Sequence, residues 1–267
     1  MLLALSLTAV TAAQSPPEGW TKPFPAHRIV GNVYNVGTYD LSVFLITSPQ
    51  GHILINTGID GSAKLIEEGV ESLGFKFSDI RILLEMQAHW DHVGELAKVK
   101  QTTGAKLHAT RGDQRLLEHG DRFEPIKVDR IIADGDKVEL GGVVLETVET
   151  PGHTQGSVSF TTTVEDGGRR YRLAIANMGS INTGTKLTNN SEYPSIAEDY
   201  ALTFERQKKL EVDIWVAAHG SQYGLHDKYS PGDAHDPNRF VDPDGYRAAV
   251  ERHETRFREL LAAENGR

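Results

Sequence analysis

The sequence predicts an α/β protein in which two β-sheets pack face to face with helices on the outer faces, a four-layer αββα sandwich. Three observations predict it. Apolar segments rich in Val, Ile and Leu precede segments of helical period, and this β-then-α order occurs twice along the chain. Nothing reads as an interdomain linker, a short-period repeat or a low-complexity block, so residues 14–267 are expected to form one domain. At 267 residues without a single cysteine, the chain is long enough to bury roughly 70–75% of its unfolded surface and needs no disulfide to hold a core.

The first half begins after the Pro-rich stretch Pro16 to Pro25. Residues 29–36, 41–47 and 52–56, punctuated by Gly31, Gly37 and Gly51, read as an antiparallel meander. Residues 60–73 carry Ala63, Leu65, Ile66, Val70 and Leu73 at helical spacing, and 79–86 return to strand. A helix over 93–102, a strand over 106–109 and a helix around 115–118, with Leu116 and Leu117 facing in, complete this half. A second antiparallel set is expected to open with 128–132. It continues through 137–140 and 143–150 about Gly141-Gly142, then 157–164 and 171–176 about Gly167-Gly168. Residues 197–210 read as helix, 213–218 as strand and 246–263 as a closing amphipathic helix whose charged face needs only solvent.

A formal net charge of -9 leaves no basic footprint for a polyanion, which excludes nucleic acid as the expected partner. The apolar run Met1 to Ala13 ends in small residues, Val10-Thr11-Ala12 or Thr11-Ala12-Ala13, before Gln14-Ser15-Pro16-Pro17. It reads as a secretory signal peptide, although Met1 is followed by Leu2-Leu3 with no basic n-region, and a buried N-terminal helix or strand is the alternative. Such a run falls short of the ~20 apolar residues that span a bilayer, so no membrane anchor is expected. Export to a periplasm follows, and a cysteine-free mature chain tolerates oxidising conditions.

The chemistry concentrates in Gln87-Ala88-His89-Trp90-Asp91-His92. An extended backbone there turns Gln87, His89 and Asp91 to one side, and His92 joins them through the turn. Imidazole nitrogen and carboxylate oxygen are ligands suited to zinc. Two further histidines end predicted strands beside glycine: His153 in Thr150-Pro151-Gly152-His153-Thr154 and His219 in Ala217-Ala218-His219-Gly220. The other seven, His27, His52, His108, His119, His226, His235 and His253, join no ligand spacing and read as packed or solvated side chains. Glu85 shares the strand parity of Gln87, which offers it a place near the metal, with a rim or solvated carboxylate as the plainer reading, and Trp90 flanks the pocket or packs on a loop. Ser180, Thr183, Thr185 and Lys186 follow the strand at 171–176 and are candidates to bind a substrate carboxylate, with a solvated loop as the plainer reading.

Residues 87–92 resemble the His-x-His-x-Asp-His signature of the metallo-β-lactamase superfamily, with Gln87 in place of the first histidine. Residues 23–34, 51–58, 73–80 and 151–154 resemble one branch of it, subclass 3 of the class B β-lactamases, and the glutamine resembles its GOB type. The resemblance implies that Gln87, His89 and His153 hold one zinc and Asp91, His92 and His219 a second. It implies further that a zinc-bound hydroxide opens the β-lactam ring of penicillins, cephalosporins and carbapenems while Asp91 orients the nucleophile or passes a proton. A neutral amide oxygen is a weaker ligand than imidazole, so of the one or two Zn2+ expected per chain, the one at Asp91, His92 and His219 is expected to be held tighter. Asn177-Met178-Gly179-Ser180 departs from the Asp-Ser-Leu-Ser usual in the subclass, and a thioether donates no hydrogen bond. The expected partner is a small-molecule β-lactam and the expected state a monomer. Two alternatives stay open: a thioesterase or lactonase on the same fold, and a zinc-binding member in which Gln87 marks lost catalysis.

Overall fold

The computed structural model describes residues 15–266; the leader predicted over Met1 to Ala13 lies outside them. Glycine and asparagine turns convert the first apolar segments into an antiparallel meander of β1 (His27–Val30), β2 (Val33–Asn35), β3 (Phe44–Ser48) and β4 (Gly51–Ile55). Strands β5 (Ile80–Leu84), β6 (Lys106–Thr110) and β7 (Arg130–Ile132) extend it in parallel, completing a sheet ordered β1 to β7. Parallel neighbours require crossovers. The helices α2 (Ala63–Ser72), α3 (Trp90–Val93), α4 (Leu96–Thr103) and α5 (Arg111–His119) supply them, preceded by the single-turn α1 (Glu18–Thr21).

The second sheet, ordered β12-β11-β10-β9-β8, contains β8 (Lys137–Leu140), β9 (Val143–Glu149), β10 (Val158–Asp166), β11 (Arg169–Ala176) and β12 (Ile214–Ala217). All its pairings are antiparallel except β11 with β12. Helices α6 (Ile196–Lys209), α7 (Leu225–Lys228) and α8 (Pro243–Asn265) follow its last long hairpin. Alternation along the central strands divides the apolar side chains between two interiors. Ile53, Ile55, Ile82 and Leu84 join Phe160, Leu173 and Ile175 between the sheets. Leu45, Leu54 and Leu83 join Ile66, Val70, Leu96, Val99 and Leu117 under the helices. A strand covered on both faces reads as an unbroken apolar run, as Ile53-Leu54-Ile55 of the wholly buried β4 does.

Three expectations are corrected. Residues 128–132 do not open the second sheet: β7 lies parallel to β6, from His108↔Arg130 to Thr110↔Ile132, at the edge of the first. Hydrophobic pattern identifies a strand but not its neighbour, and α5 returns the chain to the same edge. Leu116 does not face in. The face of α5 that meets the sheet is set by Asp113 and Leu117, one turn apart and both wholly buried, and Leu116 between them is 43% exposed.

Glu85, expected on a rim or in solvent, is wholly buried, and neither carboxylate oxygen has a hydrogen-bond partner. Burial, reinforced by the neighbouring charge of Asp113, raises its pKa well above the ordinary 4.5. A carboxyl with a raised folded-state pKa stabilises the fold fully below the unfolded value and loses that contribution as pH rises. Glu85→Gln, which cannot ionise, is therefore expected to gain stability relative to the parent as pH climbs from about 4.5, by up to about 1.4 kcal/mol per pH unit. Urea melts at several pH values measure this; parallel pH–stability curves for the two proteins would show that the Glu85 carboxyl is unperturbed.

Candidate metal centre

Strand β5 ends at Leu84, and the next residues are pinned by groups from both sheets. Met86 donates its N–H to Asn56 Oδ1 at 3.0 Å, and its carbonyl accepts from Val158 N at 2.9 Å and Asn177 Nδ2 at 2.6 Å. Asn56 does this from a left-handed backbone conformation, φ +66°, which asparagine tolerates better than most residues. The chain then turns at His89, whose carbonyl accepts from His92 N, and Asp91 and His92 enter the site on the single turn of α3.

His153 arrives on the turn after β9. Gly152 there has φ +126°, and a Cβ on it would meet the Tyr200 ring at 2.7 Å, so the close turn requires glycine. The His153 Nδ1–H donates to Ser180 O at 2.8 Å, which leaves Nε2 facing His89 Nδ1 at 3.1 Å. His219 leaves β12 through contacts with the loop 38–42 of the first sheet, Ser42 N to Ala218 O at 2.9 Å and Gly220 N to Asp40 O at 2.6 Å. The two sheets thus meet where their loops carry the predicted ligands.

One ligand atom each from Asp91, His92 and His219 lie within 4.8 Å of one another, the one such cluster of three His, Asp or Glu groups among the described residues. Asp91 Oδ2 is 3.1 Å from His92 Nε2 and 3.5 Å from His219 Nε2. His92 is wholly buried, and neither of its nitrogens has hydrogen-bond geometry to any partner. Leaving a buried polar atom unsatisfied costs ~1–3 kcal/mol, and a cation on Nε2 removes that cost. Two imidazoles and a carboxylate match the donor chemistry of zinc, so the residues present fit that ion.

Electrostatics point the same way. Burial opposes charge on Asp91, but the adjoining His92 and His219 outweigh it and hold the carboxyl far below the usual range. Burial likewise opposes charge on His219, yet the hydrogen bonds it donates to Asp40 and Asp91, together with their negative charge, raise its pKa to about 9. Burial and the charge of His89 depress His153 to about 3. Gln87 is buried on the same segment and its side chain makes no hydrogen bond among the described residues.

Sequence reading missed Asp113. Wholly buried on α5, it accepts from Ala88 N at 2.7 Å, Thr154 Oγ1 at 2.8 Å and Gly156 N at 2.9 Å. One carboxylate therefore ties the segment carrying His89 to the turn carrying His153. No local signal marks it, because an aspartate in the first turn of a helix is commonplace. Asp113→Ala orphans three buried donors and is expected to cost about 3–5 kcal/mol, with zinc binding weakened as His89 and His153 part. Chemical denaturation together with zinc titration checks this, and a loss under about 1 kcal/mol would remove Asp113 from the frame of the site.

His89 and His153 open onto a cleft of about 880 Å³ lined also by Arg115, Leu116, His119, Thr154, Gln155 and the loop Asn190 to Tyr193. Trp90 borders the centre, 5.5 Å from the Trp20 ring and under the Arg122 guanidinium. Ser180 is brought to the site, but behind His153: its carbonyl also accepts from Tyr200 OH at 2.8 Å, and Oγ is 3.3 Å from His153 Nδ1. Lys186 is exposed and does not line the cleft with His89 and His153. No described helix is long and apolar enough to cross a membrane.

Comparison with known proteins completes the picture. The sequence pattern described as the Metallo-beta-lactamase superfamily matches residues 37–167. A β-lactamase from Chitinophaga pinensis is 42% identical, with 96% of this chain and all of that one covered and a TM-score of 0.90. The class B3 di-zinc metallo-β-lactamase LRA-12 from an Alaskan soil metagenome is 42% identical over 94% of this chain and all of its own, TM-score 0.91. GOB-18 from Elizabethkingia meningoseptica is 39% identical over 97% of this chain and all of its own, TM-score 0.92. Among curated proteins, a hydroxyacylglutathione hydrolase of Rhodospirillum rubrum is 26% identical over 133 residues, 47% of this chain and 48% of that protein. The chain thus spans about half the length of the curated relatives it matches. With sandwich, histidine- and aspartate-bearing loops and full-length structural relatives in agreement, the chain belongs to the metallo-β-lactamase superfamily.

Proposed function

We propose that the chain is a zinc-dependent β-lactamase that opens the lactam ring of penicillins, cephalosporins and carbapenems. The observation that carries this reading is the convergence of Asp91, His92 and His219 beside the facing nitrogens of His89 and His153 at an open cleft. The full-length likeness to solved β-lactamases supports it. In this reading Asp91, His92 and His219 hold the tighter zinc, and Gln87, His89 and His153 the weaker. Zinc bound there supplies an acidified water and a Lewis acid for the lactam carbonyl. The chain's own groups do the rest. Asp91 Oδ2 faces the two histidines, and Oδ1, which makes no hydrogen bond, is the atom that accepts one from water and orients it toward the carbonyl carbon. Ser180, through its carbonyl, fixes the His153 tautomer rather than meeting substrate first. The apolar run Met1 to Ala13 and the absence of cysteine support a periplasmic location.

A thioesterase is the second reading, favoured by the curated hydroxyacylglutathione hydrolases. Against it, Asn177 and Met178, where such enzymes place a metal-bridging carboxylate, are buried, and the Asn177 amide is spent on the Met86 carbonyl. Steady-state turnover of nitrocefin, a penicillin and a carbapenem, set beside a glutathione thioester and a lactone, separates the readings. Lactam turnover with no thioester cleavage is expected, and the reverse pattern overturns the proposal.

A further inference from the structure

We propose that Asp40 is a positioning residue of the metal centre: its carboxylate, on the loop between β2 and β3, holds the His219 ring with Nε2 turned to Asp91. The inference rests on the zinc reading above. Asp40 Oδ2 accepts from His219 Nδ1 at 3.2 Å and from Trp20 Nε1 at 3.3 Å, while Oδ1 accepts from Ser221 N at 2.9 Å. The Asp40 backbone is tied as well, N to Gly19 O at 2.9 Å and O to Gly220 N at 2.6 Å. Held at both ends, the carboxylate stays where it is. A neutral histidine that donates through Nδ1 presents a bare Nε2, and in the imidazolium the Nε2 proton is the one a zinc displaces; Nε2 is the atom 3.5 Å from Asp91 Oδ2. Outer carboxylates of this kind fix the tautomer and raise the basicity of a ligating imidazole.

Capping the turn at Ser221 explains Oδ1 but not the bond from Oδ2 to the ligand ring. Nor is the arrangement repeated at the other histidine of its kind, because His153 Nδ1 donates to a neutral carbonyl, that of Ser180. The two halves of the centre are therefore unequal behind the ligands as well as in them: a carboxylate backs His219, an amide carbonyl backs His153, and Gln87 stands where an imidazole is usual. The Trp20 indole, 5.6 Å from the His219 ring and 5.5 Å from Trp90, covers this carboxylate, so the segment containing α1 is part of the centre.

The test is zinc affinity, read by chelator competition on the intact protein without substrate. Asp40→Asn keeps the cap on Ser221 and removes the charge, and it is expected to weaken the tighter zinc about 10–100-fold and to alter the visible spectrum of the cobalt-substituted protein. Trp20→Phe, which keeps an aromatic ring and loses the indole N–H, is expected to weaken it less than Asp40→Asn. An Asp40→Asn affinity within twofold of the parent overturns the inference while leaving the zinc reading intact; a parent chain that binds no zinc overturns both. A second measurement needs no variant. Nitrogen-detected spectra of the zinc-loaded protein are expected to show His219 protonated at Nδ1, and a proton on Nε2 with metal on Nδ1 overturns the proposal.

Discussion

Asp91→Asn is expected to lower nitrocefin kcat/KM by on the order of 10²–10⁴-fold at limiting zinc, with partial recovery when zinc is added in excess. The carboxylate is 7% exposed and lies between two imidazoles, so the change removes the negative partner of a buried charged cluster. Removing one member of such a pair costs about 3–5 kcal/mol, and each 1.36 kcal/mol is a factor of ten. Recovery with added zinc separates lost metal affinity from the lost acceptor for the attacking water, which no amount of metal restores. A variant retaining more than about a tenth of the parent activity would refute the assignment of both roles to Asp91.

Zinc affinity at Asp91, His92 and His219 is expected to rise roughly tenfold per pH unit between about pH 6.5 and 9 and to level off above that. The pKa of His219 is raised to about 9, whereas burial lowers that of His92, and the neighbouring histidines lower that of Asp91 against the pull of burial. Over this window one proton, on His219, must leave for each zinc bound. The sign for folding is opposite. A raised histidine pKa stabilises the metal-free protein fully below the unfolded value of 6.5, and that contribution is lost as pH passes through about 9. Metal-free Tm should therefore fall across the window while zinc binding strengthens. Calorimetric titrations in buffers of different ionisation enthalpy count the released proton directly, and equal affinity at the two ends of the window would show that His219 is neutral before zinc arrives.

Much of this was legible along the chain because the relevant signals are local. Apolar alternation and glycine punctuation located nearly every strand, and the compact run from Gln87 to His92 marked the site, since neighbouring side chains on a short extended segment must share a face. Asp40 and Asp113 were not legible. Each acts on a partner far along the chain, His219 for one and Ala88 with Gly156 for the other, and an isolated aspartate carries no sign of what will fold against it. Glu85 was misread for a related reason. Its charge argued for solvent, but strand parity placed it under the helices beside Asp113, where nothing bonds it.

Layer order, the segment that carries His89, Asp91 and His92, and the two distant histidines that the fold brings close to them could all be read along the chain, because periodicity and residue chemistry are written within a few positions. That β7 joins the first sheet, that Leu116 faces solvent, and that a carboxylate stands behind His219 but a carbonyl behind His153 emerged from the folded chain alone. Those outcomes depend on which segments meet across the sandwich. That choice is made by burial summed over the whole core, and no local pattern encodes it.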